Sequence, residues 1–564
     1  MLQFMANVTD QPDWEKAVFD DEEVGRYSQY RYLLAARRSF DLRAPVDDLR
    51  SAFEGAESLA NTVGFSDIMF NWCIWELGMR AKASQENNGI VALFETSAAA
   101  FKLDLPEDFR LSVAEALVRL EAEALEDKGN RWQPGHNDTN LKIVQPSLYA
   151  VDFEQTHVLQ DRIITVHDCL ESIGSGQVIA KERRGRISFL ATRGALSTRF
   201  QWLPTDVTLD AEGKSHIIGY LNNIHPVRHA GVYRMVEKLL DKALPLFAAA
   251  YDSVKTKDRL VGSRFPTDFW RCTTPSLCGS DKAYTTHDPM SGGCKAANYL
   301  IEKEDATHQE QKDWFARTHP FVQPEPLSSP EHLDAFSSTR RPFPTRLPWE
   351  GSDLQIIVSV GSILLTPDKP VYATGQFHVE GLLNERICAS AIYYYDSDNI
   401  TESRLGFEAA GSGWKILHGG REGPPFYRDR PLAKELYDVA ESRRCSSLEW
   451  MPLGSIETRP GRLVVFPNVY AHRVEPFELV DKTRPGYRKM IAIFLVDPGT
   501  PIISTSNVPP QQSTWATREQ REPNSPEMLS GAIIGSETAK ERSDELLEER
   551  EKVGIKNFGN GLSD

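Results

Sequence analysis

The segment LQIIVSVGSILLT, residues 354–366, is the part of the sequence that most directly indicates the fold. It is a nearly continuous run of aliphatic and β-branched residues, which favours a β-strand. The proline-rich stretch before it, from about residue 318 to 350, predicts an irregular connection into a new structural unit. We therefore expect a β-rich unit to begin near residue 346.

Four further segments downstream carry a similar strand pattern and are separated by polar and glycine-rich stretches. They are PVYATGQFHVEG (370–381), RICASAIYYYD (386–396), GRLVVFPNVYAHRVEPF (461–477) and RKMIAIFLVDP (488–498). Several strands at this spacing, with turn residues between them, predict a sandwich or barrel of the jelly-roll kind.

The remainder of the chain predicts helices and mixed structure around this core. In residues 106–125 a proline is followed by apolar residues at helical spacing, which is typical of an amphipathic helix. The fold class expected is α+β, with a large, mostly helical amino-terminal region and a carboxy-terminal helix. The predicted regions are helical (1–150), mixed α/β (151–345), the β-core (346–500), and a carboxy-terminal arm and helix (501–564).

Composition narrows the classes of function. The 564 residues carry a formal net charge of −16 and no stripe of lysine and arginine, so nucleic acid is not an expected partner. The seven cysteines are scattered, which is typical of reduced intracellular thiols rather than of a disulfide framework. No signal peptide or membrane-spanning segment is evident, so we expect a cytoplasmic protein and no membrane partner. We expect a small-molecule substrate rather than a protein, because the large amino-terminal region could close over the site. The oligomeric state is left open.

The segment GQFHVEG (375–381) raises the question of a metal site. A histidine followed two positions later by an acid occurs four times in the chain, and three of these pairs lie in predicted loops or helices (His136/Asp138, His308/Glu310, His332/Asp334). Only His378 and Glu380 lie in a predicted strand, where residues i and i+2 share one face about 7 Å apart. This pair can therefore converge on one ion.

His472, 92 residues after Glu380 and in another predicted strand, is the candidate third ligand. Two histidines and one carboxylate form a facial triad, which binds ferrous iron and leaves positions open for a cosubstrate and dioxygen. The alternative is that both histidines are structural core residues and that Glu380 pairs with an arginine.

Arg488 stands at the start of an apolar strand, 16 residues after His472. An arginine that enters a buried strand requires an anion, because an unpaired buried charge costs several kcal/mol. A dicarboxylate cosubstrate would supply that anion, and one of its carboxylates could accept two parallel hydrogen bonds from the planar guanidinium.

These residues resemble the Fe(II)/2-oxoglutarate-dependent dioxygenases, whose double-stranded β-helix carries His-x-Asp/Glu, a distal His and then a basic residue. The resemblance implies that His378, Glu380 and His472 bind iron and that Arg488 binds the far carboxylate of 2-oxoglutarate. It also implies that Tyr394, in the Ile-Tyr-Tyr run, supports that carboxylate, with Tyr393 as the alternative one residue away. The carboxylate is Glu380, where most of the superfamily has aspartate.

A broader resemblance covers roughly residues 150–515. The segments FQWLPTDV (200–207), NNIHPV (222–227), HVEGLLNERI (378–387), YYYDSDNITESRLGF (393–407), FPNVYAHRV (466–474) and VPPQQ (508–512) resemble the fungal family catalogued as domain of unknown function 4246. That family provides no general substrate.

The expected function is therefore a non-haem Fe(II)/2-oxoglutarate-dependent dioxygenase with Fe(II), 2-oxoglutarate and dioxygen as cofactor and cosubstrates. As the resemblance implies, 2-oxoglutarate is converted to succinate while a C–H bond of a small organic substrate, such as an amino-acid derivative or secondary metabolite, is oxidised. Hydroxylation, desaturation and demethylation all remain open. The alternatives are a cupin-like metal enzyme that does not use 2-oxoglutarate, a protein hydroxylase or demethylase, and a catalytically silent scaffold.

Other groups of potential ligands carry weaker patterns. Cys272, Cys278, His287 and Cys294 could bind structural zinc, but their spacing is unlike that of short knuckle pairs, and the question stays open. The glycine-rich segment 409–425 lacks a phosphate-binding pattern and is expected to form loops. His225 and His229 are interpreted as structural, because Pro226 lies between them and no acid close in the sequence completes a ligand set.

Overall fold

The chain, in a computed structural model, folds as a mixture of helices and antiparallel sheets. The structure describes residues 1–35, 65–95, 98–126, 139–179, 196–197, 199–255, 353–411, 449–521 and 532–558, with single positions between 264 and 351. All the strand pairs between named strands in this part of the chain are antiparallel.

The helices lie mainly before and after the β-rich part of the chain. They are α1 (Leu2–Val8), α2 (Trp14–Ala17), α3 (Asp21–Ala35), α4 (Asp67–Glu86), α5 (Glu107–Glu126), α6 (Ala230–Lys255), α7 (Arg518–Arg521) and α8 (Ser536–Phe558). Helix α5 begins directly after Pro106, and its buried residues recur at positions 113, 117, 120 and 124, as the sequence predicts.

The described strands before residue 353 have at most five residues, and most of those after it are longer, β11, β16 and β17 excepted. They are β1 (Val91–Leu93), β2 (Ala100–Asp104), β3 (Asn140–Val144), β4 (Val151–Asp152), β5 (His157–Val158), β6 (Gln177–Val178), β7 (Phe200–Gln201), β8 (Thr205–Leu209), β9 (Ser215–Ile217), β10 (Leu354–Leu365), β11 (Val371–Tyr372), β12 (Ile387–Asp398), β13 (Arg404–Gly411), β14 (Glu449–Glu457), β15 (Arg462–Pro467), β16 (Tyr470–Val474), β17 (Phe477–Glu478) and β18 (Gly486–Val496).

The main sheet has nine strands. Its order is β1-β2-β15-β12-β18-β10-β8-β9. The ninth strand, β3, also pairs with β10, along residues that do not pair with β8. Ten of the twelve residues of β10, at the centre of this sheet, are buried, and the strand coincides with the apolar run that predicted it. The pair β8 and β9 forms a hairpin within the region predicted to be mixed α/β.

A smaller sheet faces the main one. It has the order β14-β13-β16, and His378 adds a single bridge to its edge through β16. Along the chain from β10 to β18, β10, β12, β15 and β18 lie in the main sheet, and the His378 segment, β13, β14 and β16 lie in the smaller one. The chain changes sheet between successive members of this set, except that β13 and β14 follow each other in the smaller sheet.

The two faces of the main sheet bury different cores. On the inner face, Ile392, Tyr394 and Met490 pack with residues of the smaller sheet such as Phe407 and Tyr470. The outer face packs against the helices, in a cluster that includes Tyr393 and Ile491 of the sheet, Leu117 of α5 and Leu240 of α6. Neighbouring residues of one strand thus belong to different cores.

The flanking regions complete the sheet and cover one end of it. Strands β2 and β3 from the first 150 residues join the main sheet, so this region is helical only in part. At the other end of the chain, Leu546 of α8 packs with Trp202 and with Phe494 of β18. The predicted boundaries of the four regions remain a prediction.

A buried group of charges ties the amino-terminal segment to the main sheet. The carboxylate of Asp10 accepts hydrogen bonds from Lys102 of β2 at 2.5 Å and from Arg462 of β15 at 2.5 Å, and Asp10 is 5% exposed. Burial alone would raise the pKa of Asp10, but the neighbouring cations lower it to about 2. The carboxylate is therefore ionised and fully paired at neutral pH.

Candidate metal centre

His378 and His472 face each other across a two-residue antiparallel bridge. The backbone N–H of His378 donates to the carbonyl of His472 at 3.1 Å, and the N–H of His472 donates to the carbonyl of His378 at 2.9 Å. Residues directly opposite in such a pair present their side chains to the same side. The two rings are accordingly 4.5 Å apart between centroids.

The segment that carries His378 departs from the predicted regular strand. Residues 373–381 contain only the single bridge at His378, and Glu380 lies in a bend before Gly381, whose φ is +70°. A side chain at position 381 would be strained by this φ and would lie 2.8 Å from Ile387. The bend, together with the bridge to β16, sets the direction of Glu380.

Asn468 holds Glu380 in place through its backbone. The side-chain oxygen of Asn468 accepts from the N–H of Glu380 at 2.9 Å, and its amide nitrogen donates to the carbonyl of Glu380 at 2.8 Å. The same nitrogen also donates to the carbonyl of Ile387, at the start of β12. Asn468 is therefore a positioning residue, and reasoning from the sequence missed it.

The three side chains predicted to bind metal converge. The Nε2 atom of His472 is 3.5 Å from Oε1 of Glu380, and the Nε2 atom of His378 is 3.8 Å from the same oxygen. One possible ligand atom from each residue lies within 4.8 Å of the others. Among the described residues, His378, Glu380 and His472 form the group whose side chains lie close enough together to hold a metal ion.

Protonation in this group suits metal binding. Burial alone would raise the pKa of Glu380, but the contact with His472 and the positive charges around it lower the pKa to about 2. His378 is 55% exposed, yet desolvation by the surrounding protein and the adjacent His472 lower its pKa. An ionised carboxylate beside a neutral imidazole is the form in which these groups bind a divalent ion.

The donor set fits ferrous iron. Nδ1 of His378 lies 3.1 Å from the carbonyl of Gln376, which fixes Nδ1 as the donor and leaves the lone pair on Nε2. His472 is 3% exposed, and its Nδ1 has no hydrogen-bond partner among the described residues. Two imidazoles and one carboxylate on one side of an ion are the ligands of a facial triad.

Arg488 lies on the inner face of the main sheet and is 1% exposed. Among the described residues, none forms a hydrogen bond of normal geometry with any of its three guanidinium nitrogens. Burial lowers the pKa of Arg488, and the nearby hydroxyls of Tyr394 and Tyr372 partly oppose this shift. A buried cation without a carboxylate partner is unfavourable, so this position fits an anionic ligand.

The structure distinguishes the tyrosines of the Ile-Tyr-Tyr run by the face on which they lie. The guanidinium carbon of Arg488 is 4.5 Å from the ring centroid of Tyr394, whose buried hydroxyl has no hydrogen-bond partner among the described residues. Tyr393 lies on the opposite face and packs against Phe109 of α5. Tyr395 also faces the helices and donates to Glu121.

Lys142 is a second residue that sequence reasoning missed. It lies on β3, and its charge is one of those that lower the pKa of Glu380. Burial lowers the pKa of Lys142, and Glu380 opposes this shift. A single lysine in a short amphipathic segment gives no sequence signal, because its place beside the triad depends on the pairing of β3 with β10.

The competing motifs fall mostly outside the described residues. This holds for His136/Asp138, His308/Glu310, His332, the four possible zinc ligands between residues 272 and 294, and most of the glycine-rich segment. His229 lies in a described segment, and its Nε2 atom is 3.1 Å from the carboxylate of Glu123 in α5. The histidine therefore has an acidic partner that is distant in the sequence. Nδ1 of His225 accepts from the backbone N–H of Val227 at 3.2 Å. Both contacts are of the structural kind predicted for this pair.

No helix in the described ranges is long and apolar enough to cross a membrane. A comparison with curated proteins finds no match.

The solved structures similar to this chain resemble it weakly. An Fe(II)/(alpha)ketoglutarate-dependent dioxygenase named TqaL is 12% identical with a TM-score of 0.16, over 31% of this chain and 56% of that one. IDO from Bacillus thuringiensis is 12% identical with a TM-score of 0.15, over 27% and 50% of the two chains. AviO1 from Streptomyces viridochromogenes Tue57 is 18% identical with a TM-score of 0.14, over 26% and 54%. The chain thus spans about half the length of these structures, and at such TM-scores the likeness carries no argument.

The sequence profile of one family covers most of the chain. It is described as "Protein of unknown function (DUF4246)" and matches residues 67–519, which include the triad, Tyr394, Arg488 and Lys142. The resemblance noted from sequence segments over roughly 150–515 is therefore confirmed, and the match extends further towards the amino terminus. The chain belongs to the DUF4246 family.

Proposed function

We propose that this protein is an Fe(II)/2-oxoglutarate-dependent dioxygenase that oxidises a C–H bond of a small organic substrate. We also propose that residues 346–500 form a double-stranded β-helix. The strand order supports this: between β10 and β18 the chain passes repeatedly between two facing antiparallel sheets that share one core. In such a jelly roll, the space between the sheets holds the ligand.

In this proposal His378, Glu380 and His472 hold the iron. When bound, the iron together with 2-oxoglutarate and dioxygen supplies the oxidising chemistry. The chain's own contribution is to fix the ligands: the carbonyl of Gln376 sets the tautomer of His378, and Asn468 holds the backbone at Glu380. Such outer contacts typically change metal affinity by about 10- to 100-fold when they are removed.

The observation that carries the assignment of the cosubstrate is the unpaired guanidinium of Arg488. A dicarboxylate whose near end lies at the triad would bring its far carboxylate to this buried cation, and the Tyr394 hydroxyl beside it is free to donate a further hydrogen bond. The apolar side chains on the same face, such as Ile392 and Met490, exclude water from this contact. Arg488 thus binds and orients the cosubstrate in this proposal.

The proposal is tested by anaerobic titration of 2-oxoglutarate into protein loaded with Fe(II). The expected result is one iron per chain and a visible charge-transfer band that saturates with 2-oxoglutarate, followed by release of succinate when oxygen is admitted. Iron binding without the band or succinate would indicate a cupin-like enzyme that does not use 2-oxoglutarate. Iron binding with no turnover of any cosubstrate would indicate a silent scaffold.

A further inference from the structure

Lys142 lies on the inner face of the main sheet, the side on which Arg488 and the triad lie. Its neighbours Leu141 and Ile143 belong to the outer core against the helices, and the intervening residue of the strand points the other way. In the sheet, Lys142 is opposite Gly361 of β10, and Gly361 is opposite Met490 of β18, which packs on the inner face. The side chain of Lys142 therefore leaves the sheet towards the space between the two sheets.

Gly361 keeps the space in front of Lys142 open. A Cβ atom at position 361 would have only two neighbours within 4 Å, at van der Waals distance: the carbonyl oxygen of Leu141 at 3.5 Å and the terminal methyl of Met490 at 4.0 Å. On the inner side of the sheet, the described residue that borders this position is the flexible Met490. The described backbone therefore leaves room beside the lysine for a ligand group.

The ammonium group of Lys142 has no ion-pair or hydrogen-bond partner within the part of the chain that the structure describes. Its charge interacts with the charges of two proposed metal ligands, Glu380 and His378. Another cation whose charge reaches Glu380, Arg550 of α8, is already paired with Glu385 at 3.2 Å. Within the described residues, Lys142 is therefore a cation that acts on the triad and whose charge remains to be matched.

The sum of the charges in the proposed site indicates which kind of group pairs with Lys142. If the proposed function holds, a divalent iron, the Glu380 carboxylate, the Arg488 guanidinium and a doubly charged 2-oxoglutarate together sum to zero. Lys142 then leaves one positive charge beside the reacting centre, and an unmatched charge in a partly buried site is unfavourable. We propose that Lys142 binds a carboxylate of the substrate, so that the enzyme acts on an organic acid.

The test uses a short carboxylic acid and its uncharged analogue as probes. Butyrate and butyramide are titrated separately into anaerobic protein that holds Fe(II) and 2-oxoglutarate, with calorimetry and the visible band as readouts. We expect butyrate to bind at least about tenfold more tightly than butyramide, since a hydrogen-bonded ion pair in a partly buried site is worth about 1.4 kcal/mol or more. Lys142→Met should remove this preference, and Lys142→Arg should retain most of it.

Lys214→Met is the matched control, because Lys214 is 63% exposed and lies in the turn between β8 and β9. It should keep both the preference for butyrate and the affinity for 2-oxoglutarate. The affinity of Lys142→Met for 2-oxoglutarate should change by less than about twofold.

Two results would overturn the inference. One is a wild-type protein without preference for butyrate, or a preference that survives in Lys142→Met. The other is a Lys142→Met variant whose 2-oxoglutarate affinity falls as far as that of an Arg488 variant, because Lys142 would then bind the cosubstrate. If wild-type protein fails to bind 2-oxoglutarate at all, the proposed function fails instead, and the same titration on protein with Fe(II) alone decides the role of Lys142.

Discussion

Replacement of Arg488 by methionine should change two measured quantities in opposite directions. The affinity for 2-oxoglutarate should fall, because the far carboxylate loses its cation. The stability of the protein without cosubstrate should rise, because a charge without a carboxylate partner leaves the interior between the sheets. A structural arginine that only packs against its neighbours would not produce this pair of effects.

The size of the binding effect follows from the burial of the site. Arg488 is 1% exposed, so its contact with a carboxylate is shielded from solvent. Removing one side of such a buried charge pair costs about 2–5 kcal/mol, and each 1.4 kcal/mol is a factor of ten in affinity. The dissociation constant for 2-oxoglutarate should therefore rise by about 25-fold to several thousandfold. Arg488→Lys should recover part of this loss, since an ammonium provides a charge without the planar fork.

The stability effect has the opposite sign. In the protein without cosubstrate, the main compensation for burying Arg488 is its contact with the Tyr394 ring at 4.5 Å, an interaction typically worth roughly 0.5–2 kcal/mol. Replacing buried ionic groups by apolar residues of similar volume often stabilises a protein by about 1–4 kcal/mol. We expect Arg488→Met to unfold at a higher urea concentration than the wild type.

The assay is anaerobic titration of 2-oxoglutarate with the visible band as readout, combined with urea unfolding of the metal-free protein. Arg484→Met is the control, because Arg484 is 51% exposed and pairs with Asp398 on the surface. It should leave the affinity unchanged. The reasoning is refuted if Arg488→Met binds 2-oxoglutarate as the wild type does. If Arg488→Met is instead less stable than the wild type without cosubstrate, groups of the protein itself compensate the buried charge of Arg488.

Three further predictions concern the metal centre and the fold. His472→Ala should abolish Fe(II) binding with unfolding unchanged in form, whereas His216→Ala, on the exposed β8–β9 hairpin, should bind iron normally; retention of iron by the first variant would exclude His472 as a ligand. Asn468→Ala should weaken Fe(II) binding by about 10- to 100-fold in equilibrium dialysis, since Glu380 loses both contacts to its backbone, and an unchanged affinity would show that the bend holds by itself. Asp10→Asn should lower the free energy of unfolding by about 3–5 kcal/mol, because the buried Lys102 loses its carboxylate partner, although Arg462 keeps Asp104. The pKa of Asp10 is lowered from its usual 3.8 to about 2, so its contribution in the wild type is present above about pH 4 and is lost as the pH falls towards 2; a variant whose acid unfolding curve matches that of the wild type would contradict this.

The parts of the site that the sequence predicts well are those encoded in local patterns. The period of two along a strand placed Tyr394 and Tyr393 on opposite faces, and the structure shows which of them faces Arg488. The apolar runs likewise predicted the strands β10, β12 and β18, because strands buried on both faces are made almost entirely of aliphatic and aromatic residues.

What the sequence did not reveal depends on pairing between distant segments. Lys142 reaches the site only because β3 pairs with β10, more than 200 residues later, and nothing in its own surroundings indicates that register. Asn468 acts by holding another segment's backbone, a role that no side-chain pattern encodes. The predicted regular strand at His378 is a single bridge followed by a bend, because Gly381 has a positive φ.

The position of β18 in the main sheet bears on how the protein folds during its synthesis. This strand is the last of the core strands to leave the ribosome, yet it lies between β10 and β12 and pairs with both along most of its length. Until it arrives, those two long apolar strands present open backbone edges, which are templates for pairing with other chains. Contacts between segments so far apart in sequence also form slowly. We therefore expect nascent chains to be most open to pairing with one another until β18 has been synthesised and has closed these two edges.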